Sequence, residues 1–195
     1  MIAMKKRKIV LAITGASGSI YAKQLIEHFQ HPKVQSQIDS VAIVFSKNAI
    51  EVWNHEIGNF NEKDIPFKIF GLQNYNAPFA SGSAKYDTMI ICPCSMGTLG
   101  RIAHGISDDL IGRAADVILK ERRKLILVPR ETPLSMIHLS NLEILAKNGA
   151  IICPAIPSFY SKPLTITDLV NTVIFRVLDL AGFELDTFQW KGTKV

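Results

Sequence analysis

Short apolar runs alternate with stretches of helical periodicity along most of the chain, and this alternation constrains the fold more than any other feature. The apolar runs lie at residues 8–13, 41–45, 89–92, 124–128 and 150–153. Strands that are apolar along their whole length must be covered on both faces, and strand–helix alternation is typical of parallel sheets. We therefore predict an α/β protein with three layers, in which helices cover both faces of a doubly wound, Rossmann-like parallel sheet.

The stretches between the apolar runs predict the helices. Apolar residues recur at helical spacing over residues 19–29, 47–55, 98–104, 109–121, 137–147 and 167–180. Gly149 follows the fifth of these stretches as a plausible helix cap. Residues 58–86 show no clear period, and we predict an ordered excursion with at most short elements there. A long irregular segment inside a compact domain is often functional.

The composition indicates one compact domain and excludes several classes of protein. The chain has 195 residues, 48% of them hydrophobic, which predicts a single domain over residues 1–195 with a C-terminal tail from about residue 182. The net charge of +5 is modest, and the basic clusters at 5–8 and 121–124 lack interleaved aromatics, so we expect no nucleic-acid binding. The sequence contains neither a run of ~20 apolar residues, as a membrane span needs, nor a signal-peptide core.

The cysteines and histidines do not form a metal-binding pattern. Three cysteines without a framework do not predict disulfides, and they indicate a reducing, cytoplasmic compartment. Cys92 and Cys94 have the wrong spacing for a zinc pair, and the five histidines show no ligand spacing. We therefore predict no metal, and we interpret Cys92 and Cys94 as small buried residues at a strand end.

The first apolar run ends in a glycine-rich loop with Gly15, Ala16, Ser17 and Gly18. Glycines let a backbone turn tightly and approach a ligand, and the amides at the start of the following helix favour an anion. The loop lacks the spacing of a dinucleotide fingerprint and the lysine of a P-loop. It therefore predicts either an anion-binding loop or a plain strand-to-helix turn.

Two further strands also end in hydroxylic residues. The third run leads into Ser95, Met96, Gly97 and Thr98, and Ser46 follows the second run. Because parallel strands present their carboxyl ends at one edge of the sheet, these residues face the same edge as the glycine-rich loop. Together the loops predict a cradle for a phosphate or a flat heterocycle.

The fourth run leads directly into Arg130 and Glu131. Charges at the end of a buried strand are costly unless they act there. An arginine fork suits an anionic ligand, and a neighbouring carboxylic group can move a proton. The alternative is a structural ion pair, either between these two residues or with a neighbouring subunit.

Other candidate residues lie away from these four strand ends. Tyr160 follows the fifth run and is either a phosphate ligand or a packed aromatic. Arg113 and Lys120 lie seven apart on one predicted helix, where solvation is the usual role of such charges. Arg176 lies in the last amphipathic helix and either snorkels or reaches an anion at a subunit seam. Trp190, in the tail, is expected to pack on a neighbouring subunit.

Six blocks in order make the chain resemble the UbiX family of flavin prenyltransferases, over nearly its whole length. These blocks are residues 14–18, 80–83, 92–98, 113–117, 119–123 and 128–134. The wider relatives, flavin-dependent cysteine decarboxylases, carry an asparagine-containing block where this chain has residues 92–98, which argues against that chemistry. The resemblance implies a flavoprotein fold and transfer of a dimethylallyl group from dimethylallyl monophosphate to N5 and C6 of reduced FMN, with release of phosphate and without a metal.

The resemblance also implies roles for individual residues. By motif match, FMN contacts Gly15, Ala16, Ser17, Ser46, Ser95, Met96, Gly97, Thr98 and Arg130. The prenyl phosphate meets Arg113, Lys120, Arg130, Tyr160 and Arg176, and Trp190 helps to close the site. Glu131 is similar to the family's proton donor to the departing phosphate, and Glu56 corresponds to a second acidic residue near Ser17. The residues expected to take part in catalysis are thus Glu131, Ser17, Glu56 and Lys120.

The same resemblance implies partners. The family forms homododecamers built from trimers, with the flavin at the interfaces, and its product serves UbiD-type decarboxylases in ubiquinone biosynthesis or aromatic acid decarboxylation. Two other functions remain open: a non-catalytic FMN carrier, and a direct flavin-dependent decarboxylase of aromatic acids. A carrier would leave Glu131 and Lys120 without a role. For direct decarboxylation, the sequence does not supply the chemistry that the reaction would need.

Overall fold

The computed structural model describes residues 6–185, which form a six-stranded sheet with helices on both faces. The strands are β1 (Arg7–Ile13), β2 (Ile38–Phe45), β3 (Lys68–Phe70), β4 (Thr88–Cys94), β5 (Lys124–Pro129) and β6 (Ile151–Ile152). All of them pair in parallel, in the order β3-β2-β1-β4-β5-β6. This is the strand order of a Rossmann-type doubly wound sheet, so the predicted fold class is confirmed.

The helices lie close to their predicted positions. They are α1 (Ser19–Gln30), α2 (Pro32–Gln35), α3 (Ala49–Glu56), α4 (Met96–Ala103), α5 (Leu110–Lys120), α6 (Met136–Lys147) and α7 (Ile166–Ala181). Only the four-residue α2, which starts at Pro32, was not predicted. Gly149 has a φ of +91°, as its predicted role after a helix requires. No helix within residues 6–185 is long and apolar enough to cross a membrane.

Alternate residues of β1 face two separate hydrophobic cores. Leu11 and Ile13 face the core covered by α1, α3 and α7, whereas Val10 and Ala12 face the core covered by α4, α5 and α6. This is the two-residue alternation of a strand. Helices α1 and α4 therefore begin on opposite faces of the sheet, beside the ends of β1 and β4, and a doubly wound sheet has its binding crevice at such a point.

The segment without a clear period contributes an edge strand. Besides β3 it forms three 3₁₀ turns, Glu62–Asp64, Pro78–Ala80 and Gly82–Ala84, so the prediction of short elements only is confirmed. Strand β3 pairs with β2, and the Phe70 ring packs edge-on against Phe79 at 5.1 Å. Strand β3 has three residues, the first of them a lysine, which is too short a stretch to show a periodicity. The strand forms because β2 and Phe79 offer it partners.

The beginning of the predicted tail is packed against β1. Arg7 donates hydrogen bonds to the carbonyl oxygens of Ala181, at 3.1 Å, and Gly182, and its guanidinium lies 5.3 Å from the centre of the Phe183 ring. The Glu184 amide donates to Gln37 Oε1 at 2.9 Å. The last helix ends at Ala181, and the first residues of the predicted tail that follow it are held against the start of β1. Because Arg7 begins β1, this packed segment lies at the amino edge of the sheet.

Candidate functional site

Four neighbouring strands end at one edge of the sheet, and the loops that follow them are joined by backbone hydrogen bonds. We call residues 15–17, Ser46, 95–98, Arg130 and Glu131 the strand-end site. The Ser46 amide donates to the Ile13 carbonyl at 2.8 Å, and the Arg130 amide donates to the Cys94 carbonyl at 3.3 Å. The structure thus brings together the loops after β1, β2, β4 and β5, as predicted from the parallel strand order.

Thr14 was not among the candidate residues, yet it joins the loops after β1 and β4. Its hydroxyl donates to the Pro93 carbonyl at 2.7 Å and accepts a hydrogen bond from the Ser95 amide at 2.7 Å. The residue is only 1% exposed. Its position directly after β1 was the only signal in the sequence, because its partners lie about 80 residues away.

The first turn of α4 offers hydrogen-bond donors to a ligand. Ser95 caps the helix, since its Oγ accepts from the Thr98 amide at 3.3 Å. Among the described residues, the amides of Met96 and Gly97 have no acceptor, as is usual for the first turn of a helix. A Cβ added at Gly97 would meet nothing within 4 Å, so the space in front of this turn is open. These donors fit phosphate or ribityl oxygens.

The start of α1 is different, because a side chain of the protein already occupies it. The Glu56 carboxylate accepts hydrogen bonds from the Gly18 amide at 2.9 Å and from the Ser19 amide at 2.7 Å. Gly18 has a φ of +114°, which favours glycine at this turn. The expectation that this helix start binds the anion of a ligand is therefore corrected: the anion at these two amides is Glu56.

The environment of Glu56 favours its charged form. Partial burial raises the pKa of the Glu56 carboxyl, but hydrogen bonds from the Ser17 hydroxyl and from the Gly18 and Ser19 amides outweigh that effect and leave the pKa below its ordinary value. The structure thus places Glu56 beside Ser17, where the resemblance puts an acidic residue. It is a carboxylate at neutral pH.

Gly15 serves the packing of two loops. A Cβ added at this position would lie 2.7 Å from Cβ of Asn48, in the loop after β2. Real Cβ atoms do not approach so closely, so any other residue would force the two loops apart. The close approach that requires a glycine here is therefore to the protein's own chain.

Arg130 and Glu131 do not form an ion pair with each other. Arg130 Nε donates to the Ser17 carbonyl at 3.0 Å, which orients the guanidinium towards the glycine-rich loop. Its two terminal nitrogens contact no acceptor among residues 6–185. Glu131 is exposed, and its Oε1 accepts from the Thr132 amide at 3.0 Å. Within the described chain neither residue is part of any salt bridge, so both side chains are available to a ligand.

Lys120 and Arg130 lie at opposite edges of the sheet. Lys120 is exposed and ends α5, just before β5 begins, whereas Arg130 directly follows the end of β5. The six residues of β5 span about 16 Å. Lys120 and Arg130 of one chain therefore cannot bind the same phosphate.

Arg113, near the start of α5, is held by the protein's own chain: it donates to the Ala80 carbonyl at 3.1 Å and pairs with Asp116 at 3.2 Å.

The remaining candidate residues for substrate binding lie beyond β6. Tyr160 is 72% exposed in the loop before α7, and Arg176 pairs with Asp179 at 2.5 Å on the outer face of that helix. Arg176 and Cys153 line a groove of about 1340 Å³ along α7, which includes no residue of the strand-end site. Trp190 lies outside the described residues. The hydrogen-bond donors suited to a flavin are at the strand ends, so we do not propose the groove as the flavin site.

The cysteines beside the site are neutral thiols. Cys92 and Cys94 are fully buried, as predicted. Burial raises the pKa of Cys92 well above its ordinary value and that of Cys94 to about 12. No group of three histidine, cysteine or acidic side chains among residues 6–185 is arranged to hold a metal ion.

Comparison with known proteins shows which family has these features. The Flavoprotein family model matches residues 2–178. A protein of Methanocaldococcus jannaschii, named flavin prenyltransferase UbiX, is 43% identical over 188 residues, which are 95% of this chain and 99% of the relative. The crystal structure of AnUbiX (PadA1) in complex with FMN and dimethylallyl pyrophosphate has a TM-score of 0.88 at 38% identity, and the match covers 97% of this chain and 100% of that one.

A second solved structure, described as a dodecameric FMN-dependent UbiX-like decarboxylase from Escherichia coli O157:H7, has a TM-score of 0.85 at 39% identity. That match covers 94% of this chain and 99% of the other. Similarity of this degree extends over almost the whole of each chain. The protein therefore belongs to the Flavoprotein family and, within it, to the flavin prenyltransferases of the UbiX type.

Proposed function

We propose that this protein is a flavin prenyltransferase that joins the dimethylallyl group of dimethylallyl monophosphate to N5 and C6 of reduced FMN and releases phosphate. The observation that carries this proposal is the strand-end site, where amides without an acceptor among residues 6–185 and the terminal nitrogens of Arg130 lie at one edge of the sheet, with Glu131 directly after Arg130 in the chain. The similarity to AnUbiX, crystallised with FMN and dimethylallyl pyrophosphate, supports FMN and a dimethylallyl phosphate ester as the substrates of this chain, and the monophosphate is the ester that the family resemblance implies.

The strand ends fit FMN in their chemistry. The hydroxyl of Ser46 and the amides of Met96 and Gly97 are donors for phosphate and ribityl oxygens. The hydroxyls of Ser17 and Ser95 donate to Glu56 and Thr98, and their oxygen atoms can accept from ribityl hydroxyls. Reduced FMN, when bound, supplies the nucleophilic N5 and C6 atoms. The protein's part is to hold the flavin at this edge and to bring the allylic carbon of the second substrate to those atoms.

Arg130 and Glu131 divide the work on the leaving phosphate. The terminal nitrogens of Arg130, left free by the bond from Nε to Ser17, donate to phosphate oxygens and stabilise the charge that develops as the C–O bond breaks. Glu131 donates a proton to the departing oxygen. Formation of the bond to N5 breaks the allylic C–O bond and the N5–H bond and releases one phosphate. Formation of the bond to C6 uses the prenyl double bond, and the proton lost from C6 is balanced by one added at the other carbon of that double bond, so the flavin gains C5H8.

A homo-oligomer completes the phosphate half of the site in this proposal. Lys120 lies at the edge opposite Arg130, so a Lys120 that meets the phosphate must come from a neighbouring subunit. The dodecameric relative supports such an assembly, and so do exposed apolar side chains, among them Met136 at 75% and Leu164 at 93% exposure. We extend the same inference to Tyr160 and Arg176, whose side chains are exposed at the surface in the segment that follows β6 in the chain.

The product is inferred to serve a UbiD-type decarboxylase, and the compartment is inferred to be the cytoplasm. The first inference rests on the family. The second rests on the family and on three free thiols, which suit a reducing environment. Neither alternative function draws support from a specific contact. Arg130 and Glu131 are proposed to act together on one phosphate, and neither a carrier nor a direct decarboxylase needs such a pair.

Anaerobic incubation with reduced FMN and dimethylallyl monophosphate tests the proposal. We expect the flavin to gain the mass of one C5H8 unit and one phosphate to appear for each modified flavin. A parallel reaction with dimethylallyl pyrophosphate establishes which phosphate ester is used. Flavin that is bound but unmodified with both esters would favour a carrier. Release of carbon dioxide from 4-hydroxybenzoate by the protein alone would favour a direct decarboxylase, and either result would overturn the proposal.

A further inference from the structure

Thr14 occupies the position where the strand order of the sheet reverses. It directly follows β1, whose neighbours are β2 on one side and β4 on the other. The chain runs from β1 into α1 on one face of the sheet, and from β4 into α4 on the opposite face. Ligands of doubly wound sheets bind in the crevice at this point. A residue that ties the two loops together here sets the width of that crevice.

The Thr14 hydroxyl makes two short hydrogen bonds, one as donor and one as acceptor. The bond to the Pro93 carbonyl and the bond from the Ser95 amide are both 2.7 Å long. Ser95 in turn donates from its Oγ to Thr98 Oγ1 at 3.1 Å, and Arg101 Nη2 donates to the same atom at 3.3 Å. Thr14 therefore holds the first residue of a network that runs along the first turn of α4.

We infer that Thr14 is a positioning residue for flavin binding. It fixes the Ser95 amide, and with it the free amides of Met96 and Gly97, at a set distance from the glycine-rich loop. This inference rests on the proposed function, since it assumes that FMN binds between these loops. Loss of the hydroxyl leaves the Ser95 amide without its acceptor in a partly buried place, and the two loops separate or rotate to find another partner.

Thr88 provides a matched control in the neighbouring strand. It is 2% exposed, against 1% for Thr14, and its hydroxyl donates to Asp87 Oδ1 at 2.9 Å. It begins β4, so it lies at the amino edge of the sheet, away from the strand-end site. Replacing Thr88 by valine removes a buried, hydrogen-bonded hydroxyl of the same kind without touching the loops.

The experiment measures binding of oxidised FMN and thermal unfolding for Thr14→Val, Thr14→Ser and Thr88→Val. We expect Thr14→Val to weaken FMN binding by about tenfold or more, the effect of one buried donor left without a partner. Thr14→Ser keeps the oxygen atom and should bind within about twofold of the original protein, as should Thr88→Val. Both valine variants should lower the melting temperature by similar amounts.

Three results would overturn the inference: wild-type affinity in Thr14→Val, an equal loss of affinity in Thr88→Val, or an equal loss in Thr14→Ser. The second would mean that general destabilisation weakens binding, and the third that the methyl group matters. If Thr14→Val does not fold, Thr14→Ala against Thr14→Ser makes the same comparison. Failure of the unsubstituted protein to bind FMN would instead contradict the proposed function, so the two failures are distinguishable.

Discussion

The strand-end site and the loop between β6 and α7 differ in how far a single chain determines their structure. At the strand ends each loop is tied to its neighbour, by the Ser46 amide, by Thr14, and by Arg130 through both its backbone and its side chain. In the loop of residues 154–165 the apolar and aromatic side chains point outward, with Leu164 93% and Tyr160 72% exposed.

This difference separates the two halves of the proposed reaction. The flavin half of the site is assembled from loops of one chain, which hydrogen bonds hold in place before any ligand arrives. The phosphate half depends on residues such as Lys120 and Tyr160, which one chain presents at its surface. Substitutions in the loops that bind the flavin should act on flavin affinity and stability, whereas substitutions of Glu131 and of the surface residues should act on use of the prenyl phosphate.

The largest effect is expected for Glu131→Gln. A glutamine keeps the size of the side chain but has no proton to give to the departing phosphate, so turnover should fall by about 100-fold or more. Binding of oxidised FMN should stay within about twofold, because within residues 6–185 the Glu131 carboxyl group accepts a hydrogen bond from the Thr132 amide and holds none of the flavin-binding loops. Single-turnover kinetics with reduced FMN measure the first quantity, and flavin titration measures the second.

Glu143→Gln is the control for this substitution. Glu143 lies about two turns into α6, at the surface, and pairs with Lys147 at 2.7 Å. It should leave turnover unchanged. Normal turnover in Glu131→Gln would remove Glu131 from the role of proton donor.

A smaller effect is expected for Lys120→Ala. Loss of one charged donor to the phosphate should raise KM for dimethylallyl monophosphate by about tenfold while FMN affinity is retained. Lys147→Ala is the matched control, because Lys147 is also an exposed lysine at the last position of a helix. Equal KM values for the two variants would show that Lys120 does not meet the substrate.

Glu56→Ala should affect stability more modestly. The carboxylate satisfies the Gly18 and Ser19 amides at the start of α1, so its loss should cost about 1 kcal/mol in the free energy of unfolding, as for a lost helix cap on a half-exposed surface. Glu51→Ala, at an exposed position of α3, the helix that also carries Glu56, should cost only a few tenths of a kcal/mol. Chemical denaturation at neutral pH separates the two, and equal losses would contradict the capping role.

The smallest effect is a change in the acid limb of stability. The pKa of Glu56 is lowered in the folded protein, so the stability it contributes is present above its unfolded value of 4.5 and is lost as the pH falls through the folded value. Glu56→Gln lacks this contribution and should lose less stability than the original protein between neutral pH and pH values below 4.5. If the free energy of unfolding of the two proteins fell in parallel as the pH was lowered, the Glu56 carboxylate would make no favourable contacts.

Much of this fold follows from local pattern. Five of the six strands have enough consecutive apolar residues to be recognised, and their parallel arrangement follows from the helices between them. Strand β3 has three residues, one of them a lysine, and exists because β2 and Phe79 offer it partners. The packing of Phe183 and Glu184 on β1 depends on Arg7 and Gln37, at the other end of the chain.

The candidate site was predictable only in part. The convergence of Ser46, Ser95 and Arg130 follows from the parallel strand order, which needs no knowledge of side chains. The contact of Glu56 with the start of α1 joins residues 37 and 38 positions apart, and no periodicity encodes it. Thr14 was missed for the same reason, because its role depends on where the β4 loop passes. Residues supplied by a neighbouring chain leave no local pattern at all.

Mixed oligomers test the central claim, that one chain supplies Glu131 and another supplies Lys120 to the same phosphate. Subunits with Glu131→Gln are combined with subunits with Lys120→Ala, and prenylation of reduced FMN, at a dimethylallyl monophosphate concentration well below KM so that both variants alone are slow, is compared with that of each variant alone. If the site spans two chains, a 1:1 mixture regains about one quarter of the original activity, because that share of sites pairs two intact residues. If one chain supplied both residues, every site would carry a substitution, and the mixture would be no more active than the average of the two variants.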